Sequence, residues 1–220
     1  MAHRKTPLVN ENIYHVFTRS ISDFKIFRSK RDFCRIKDTV LFYSVKKPEY
    51  KFSVFENLSN ESKQNAAKRI KDKEKIVDIL AYCIMPTHVH FILKQLKDKG
   101  ISRFMNSVLK SYSRYFNIKY NRLGPLCDGR FKNIIIDKDD YLLHLTRYIH
   151  LNPVSGSLVS KPQEWGYSSY KEYIGVEPEN ERICEFGDIL GLSPQKYMEF
   201  VEERIDYQKE LEAIKHLVIE

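Results

Sequence analysis

Two histidines one residue apart, His88-Val89-His90, form the most chemically suggestive spacing in this 220-residue chain. In a strand, a period of two sends both imidazoles to one side and Val89 to the other. Two neutral ring nitrogens then stand close together on a rigid element and could chelate a divalent cation. The tripeptide reads equally as two partly exposed histidines on a strand face. It does not make a closed structural zinc site, which needs two further Cys or His ligands. Cys83 is close in the chain, but the turn at Pro86 leaves its direction open. A second group is Arg147-Tyr148-Ile149-His150-Leu151-Asn152-Pro153-Val154. Tyr148 and Asn152 are four apart and share a helical face, which Tyr141 and His144 continue towards the N-terminus. A phenol oriented in line can attack phosphorus if a nearby cation stabilises the developing charge. A buried helical tyrosine and an asparagine capping a helix before proline are the plainer readings of the same two residues.

These groups need a scaffold, and the patterning supplies one. Tyr14 to Ile21 alternates as a strand, with Tyr14, Val16 and Thr18 on one face and His15, Phe17 and Arg19 on the other. A helix is predicted over Lys30 to Val45, followed by a polar, lysine-rich insertion over about 46–73 with a short helix near Ser62 to Ile70. Lys75 to Ile84 and His88 to Lys94 read as two strands joined by a tight turn at Met85-Pro86-Thr87. Ile101 to Tyr120 carries apolar residues at helical spacing with cations between them. Phe131 to Ile136 is a strand, and Asp137 to Asp140 supplies capping acids for a helix to about Leu151, stopped by Pro153. The order predicts an α+β fold: a ferredoxin-like antiparallel sheet with helices packed on one face, then one more helix. An acidic, amphipathic helical tail follows over Pro194 to Ile219.

Charge and composition narrow the function. The net charge of +8 hides an asymmetry: residues 176–220 hold 5 basic and 12 acidic groups, so residues 1–175 carry 32 against 17. The body is +15 and the tail −7, the footprint of a chain that meets a polyanion. Four dispersed cysteines without a C-x-x-C pair indicate neither a zinc knuckle nor a redox motif. Eight Gly, eight Pro and 13% aromatics exclude collagenous and low-complexity classes. No long uncharged apolar stretch exists, so no membrane partner is expected and the cytoplasm is the expected location.

Taken together, Tyr82-Cys-Ile-Met-Pro-Thr87 before the His88-Val89-His90 triplet, Gly129-Arg-Phe-Lys132, Tyr148-Ile-His-Leu-Asn-Pro-Val154 and Trp165-Gly-Tyr-Ser-Ser-Tyr170 resemble the single-tyrosine HUH transposases. The opening Tyr14-His-Val-Phe-Thr-Arg19 and Ile26-Phe27 match as well. The pattern is most similar to the REP-associated tyrosine transposase branch and spans roughly residues 10 to 175. The resemblance implies a transposase-like single-stranded DNA endonuclease and strand transferase acting near DNA hairpins. It implies Tyr148 as the nucleophile, forming a 5′-phosphotyrosine and releasing a 3′-OH. It further implies Mg²⁺ or Mn²⁺ held by His88 and His90, with Asn152 as an additional ligand. A transposase domain over 1–175, with its insertion near 46–73, precedes an acidic extension over 176–220. Candidate DNA contacts are His15, Arg19, Lys110, Arg114, Arg130 and Lys132, with Lys119, Arg122, Tyr112, Tyr115 and Tyr120 as a further basic and stacking surface. Monomer and homodimer both remain open. The rival readings are a catalytically idle DNA-binding regulator and a water-using metal-dependent phosphodiesterase.

Overall fold

The structure, a computed structural model, describes residues 7–187 and 191–207. Four strands, β1 (Ile13–Arg19), β2 (Val77–Ile84), β3 (His88–Gln95) and β4 (Lys132–Ile136), form one antiparallel sheet in the order β2-β3-β1-β4. This is the predicted ferredoxin-like arrangement. Met85 N donates to His88 O at 2.8 Å and closes the turn at Pro86 between β2 and β3. A register shift between Ile79 and Ala81 in β2 puts Ile79 and Tyr82 in one layer and Leu80, Ala81 and Cys83 in the other.

Helices α1 (Lys30–Tyr43) and α4 (Gly100–Lys119) cover the first face of the sheet. Ser29 and Asp32 begin α1 as a capping box, each side chain reaching the other's backbone amide. Along α4, Ile101, Phe104, Met105, Val108, Tyr112 and Phe116 recur at three- and four-residue steps and are buried against Val16, Val89, Phe91 and Leu93. Gly100 opens α4 hard against β2's approach, where a Cβ would lie 2.2 Å from Ile76 O. The insertion forms two helices, α2 (Phe52–Glu56) and α3 (Asn60–Lys71), rather than one short helix. An Arg35–Glu56 ion pair and the Phe42–Phe52–Phe55 ring cluster fasten it to α1.

A second helical layer lies on the opposite face, where the sequence reading expected helices on one face only; Leu80, Ala81, Cys83 and Ile92 make that face apolar as well. The layer contains α5 (Asp139–Ser155), α6 (Tyr170–Tyr173) and α7 (Pro194–Glu202), packed over Ala81, Cys83, Ile92 and Ile136. The start of the acidic tail is therefore part of this layer: Tyr197 and Val201 are buried there. The rest of the predicted tail helix, residues 208–220, lies outside the described residues. Before α7, Glu185 N donates to Ile79 O, covering part of the β2 edge, and the buried Glu172 carboxylate accepts from Ile183 N and Cys184 N. Two details of α5 differ from the sequence reading. The acids sit in its first turn and favour the helix dipole, while the cap position is Lys138 with no side-chain cap bond. Pro153 lies inside the helix, because a proline so near the C-terminus removes only one amide donor and Gly156 N still reaches Asn152 O at 2.8 Å. Among the described residues no helix is long and apolar enough to cross a membrane.

One buried carboxylate ties α1 to α4. Asp32 accepts from Arg28 N and Ser29 N, from Tyr115 Oη at 3.0 Å, Tyr120 Oη at 2.7 Å and Lys119 Nζ at 2.7 Å. Burial alone would raise its pKa, but the bonds from Lys119, Tyr120, Arg28 and Tyr115 outweigh burial and hold it at about 2. Replacing Asp32 with Ala is expected to lower unfolding free energy by about 3 kcal/mol, since five donors lose a charged acceptor. Urea denaturation checks this; an unchanged midpoint would show that the donors find other acceptors.

Candidate active site

The site is built by strand parity. In β3, Val89, Phe91 and Leu93 enter the α4 layer, so His88, His90 and Ile92 face the α5 layer. In β1 the same rule sends Tyr14 and Val16 to the α4 layer and His15, Phe17 and Arg19 to the α5 side, as the sequence predicts. The register then sets neighbours: Phe17 lies opposite His90 and Lys132, Arg19 opposite His88, and Cys83 opposite His90. Cys83 therefore points to the histidine side, but it is fully buried and burial pushes its thiol pKa far up, so it is a packing group.

The two imidazoles are adjacent, with ring centroids 5.1 Å apart and planes at 90°. His88 Nδ1 contacts Thr87 Oγ1 at 2.9 Å, and His90 Nδ1 contacts His15 Nε2 at 2.9 Å. For His90, Nε2 is then the nitrogen that faces away from His15. A bond at the remote nitrogen fixes tautomer and ring orientation, as second-layer partners of metal-ligating histidines do. Burial lowers the His15 pKa to about 4. Burial, followed by the neighbouring His88, His15 and Arg19, lowers that of His90 well below its usual value. Both are neutral at pH 7, the form that ligates metals. The donor set thus fits a divalent cation, although no group of three or more His, Cys, Asp or Glu is assembled among the described residues.

Helix α5 supplies the phenol. The Tyr148 ring stands edge-on to His90 with centroids 6.0 Å apart, and Tyr148 is 38% exposed rather than sunk in the core. Asn152, one turn on, donates from Nδ2 to Tyr148 O at 2.8 Å, which leaves Oδ1 as its acceptor group. The far side of the same helix is anchored by His150. This buried ring contacts Tyr197 Oη at 2.7 Å through Nδ1 and Ser169 Oγ at 2.8 Å through Nε2. Those bonds fix the rotation of α5 about its axis and hence the direction of Tyr148. Sequence reasoning assigned His150 no role; its position two residues from Tyr148, on the other side of a helix, was the available signal. His144 turns to Arg147 and Phe200 instead of extending the Tyr148 face.

The other candidate residues divide into two surfaces. His15 supports His90 from within, while Arg19 is exposed beside His88 and pairs with Asp23 at 3.2 Å. Lys132 shares the histidine side of the sheet through its pairing with Phe17. Lys110 and Arg114 are on α4, across the sheet from the histidines. Lys110 borders one groove with Arg130 and another with Arg31, Lys51 and Arg114. The proposed stacking tyrosines are largely spent on structure: Tyr112 is buried with its hydroxyl on Ile26 O, and Tyr115, Tyr120 and Lys119 converge on Asp32. Arg122 bonds Gly124 O and Pro125 O. These rings therefore do not form the expected stacking surface on α4: their hydroxyls are bonded to Ile26 O and to Asp32 of α1.

The family model described as "Transposase IS200 like" matches residues 40–152, just over half of the chain and a span that includes His88, His90, Tyr148 and Asn152. The chain belongs to the IS200-like transposase family. Among solved structures, this IS200-like chain matches one titled as a REP-associated tyrosine transposase bound to a REP hairpin. Identity is 14% and the TM-score 0.52, covering 85% of this chain and 96% of that one. At that identity the match establishes a shared fold. No curated protein matches the chain.

The buried histidines of this IS200-like fold make its stability acid-sensitive. Burial lowers the His150 pKa to about 3, against 6.5 for a free histidine. An unfolded chain therefore takes up a proton near pH 6.5 that the folded chain refuses until about pH 3. Stability is complete above pH 6.5 and falls as the pH drops through that window, by up to about 1.4 kcal/mol per pH unit for this one group. His150→Gln, which keeps polar contacts and removes the titration, is expected to flatten the decline by about that slope between pH 6 and 4. Urea unfolding at stepped pH reads it, and an unaltered slope would contradict the assignment.

Proposed function

We propose that this transposase-family chain cleaves and rejoins single-stranded DNA near a hairpin, with Tyr148 as nucleophile. The observation that carries this reading is the 6.0 Å approach of the exposed Tyr148 ring to His90, the better buried of two adjacent imidazoles. The Tyr148 oxygen attacks the scissile phosphorus, the bond from phosphorus to the 3′-oxygen breaks, the phenolic proton is released and the departing oxygen takes one up. A 5′-phosphotyrosine and a free 3′-OH result. Because the ester conserves the energy of the broken bond, attack by another 3′-OH reverses the step and joins strands without ATP. His88, His90 and Asn152 would hold Mg²⁺ or Mn²⁺, and the bound ion would supply Lewis-acid polarisation of the phosphate.

The chain's own residues do the rest. His15 holds the His90 ring in one tautomer, and Asn152 stays one turn from the nucleophile on the same helix. Arg19 and Lys132 border the same side of the sheet and suit the flanking phosphates, the contacts that set register rather than sequence. Lys110, Arg114 and Arg130 lie on grooves away from the histidines and suit the backbone of the hairpin stem.

Tyr148→Phe is expected to abolish cleavage, by at least 10³-fold or so, with hairpin binding nearly unchanged, since only the attacking oxygen is lost. Denaturing gels of labelled oligonucleotide read cleavage and the covalent adduct together. Cleavage by this variant at the parental rate would instead favour a water nucleophile. His88→Ala combined with His90→Ala is expected to remove both Mn²⁺ binding by calorimetry and divalent-dependent cleavage; unaltered Mn²⁺ affinity would refute the ligand assignment.

A further inference from the structure

Beside the β2–β3 turn opens a groove that the chemistry above does not use. Phe24, Lys25, Phe27, Arg28, Phe33, Pro86 and Trp165 line it, with a volume of about 570 Å³. Its lining holds four aromatic rings and two cations and no acid. Phe27 and Phe33 are core residues, whereas Phe24 is 37% exposed and Trp165, the only tryptophan in the chain, is half-buried. The accessible rings are fixed in place. Trp165 Nε1 donates to Ile84 O at 3.1 Å and its ring meets Phe33 edge-on at 5.5 Å. The Arg28 guanidinium lies 4.5 Å from the Phe24 ring centre.

The groove is tied to the catalytic turn by backbone bonds. Ile26 N and Phe27 N both donate to Pro86 O, at 2.9 and 3.0 Å, and Ser20 N donates to Thr87 O at 2.8 Å. Pro86 is two residues before His88, a separation of at most about 7 Å along the chain. A strand passing His88 would thus meet the groove within about one or two nucleotides. Aromatic walls combined with cations are what single-stranded nucleic acid requires, since every base has a stacking face and every linkage a negative charge.

We propose that this groove is a nucleobase pocket. It takes one unpaired base next to the cleaved phosphate against Phe24 and Trp165, and Lys25 and Arg28 meet the adjoining phosphates. The inference rests on Tyr148 and the paired histidines acting on single-stranded DNA, and it goes further by naming what holds the flanking nucleotide.

The test uses the full chain and a single-stranded oligonucleotide obtained from a random-sequence pool by capture of its covalent adduct. Each base around the mapped cleavage position is replaced in turn by an abasic nucleotide, and Trp165 fluorescence reports binding. One position, within about two nucleotides of the cleaved phosphate, is expected to weaken binding about 10-fold when abasic and to lose most of the quenching. Phe24→Ala is expected to bind the intact strand about 10-fold more weakly and to become indifferent to that abasic site. Adduct formation with no sensitive position, or full sensitivity retained in a folded Phe24→Ala protein, would overturn the pocket while leaving the Tyr148 reading intact. Failure to capture any adduct would bring down that reading and the pocket with it.

Discussion

The pairing of β3 with β1 is the constraint on which the site depends. Val89, Phe91 and Leu93 are almost entirely excluded from solvent beneath α4, so the strand cannot slip by one residue without driving both histidines into that apolar layer and pulling three apolar side chains out of it. Each such side chain contributes roughly 1.5–3 kcal/mol by burial, far more than the histidine contacts themselves. The core therefore dictates where the imidazoles point. His15, one strand over, completes the arrangement because the same parity brings it beneath His90. The proposed site and the α4 core use opposite faces of one strand.

Helix α5 solves a complementary problem. The nucleophile proposed on this helix is useful only if the helix cannot roll, and an exposed tyrosine contributes little to prevent rolling. The opposing side does so: Ile149 is buried against the sheet layer, and His150 is bonded to both Ser169 and Tyr197. Two elements late in the chain thereby set the direction of a side chain that neither touches. The acidic C-terminal segment begins as structural support for α5 through Tyr197, Phe200 and Val201.

Much of this was legible in the residues. Alternation in Tyr14 to Arg19 and in His88 to Lys94 reports directly which side chains share a face, because a strand's period is short and local. The amphipathic run of α4 was equally plain. What escaped depended on contacts between distant parts of the chain. Tyr115 and Tyr120 look like a stacking surface from spacing alone; only the position of Asp32, more than eighty residues earlier, turns them inward. Pro153 looks like a terminator, yet its effect depends on how few amides remain beyond it. The direction of Cys83 was undetermined because a turn of unknown geometry lay between it and His90, and the observed register resolves it. His150 was passed over because its partners lie 19 and 47 residues away.

The convergence of a phenol with two adjacent imidazoles is tested most directly by diffraction from crystals of the chain soaked in Mn²⁺ and measured at the manganese absorption edge. The expected result is a single anomalous peak within bonding distance of Nε2 of both His88 and His90, on the side of the sheet that Tyr148 faces. A peak on other ligands, or no peak at saturating Mn²⁺ with both rings ordered, would contradict a metal-assisted tyrosine site in this fold.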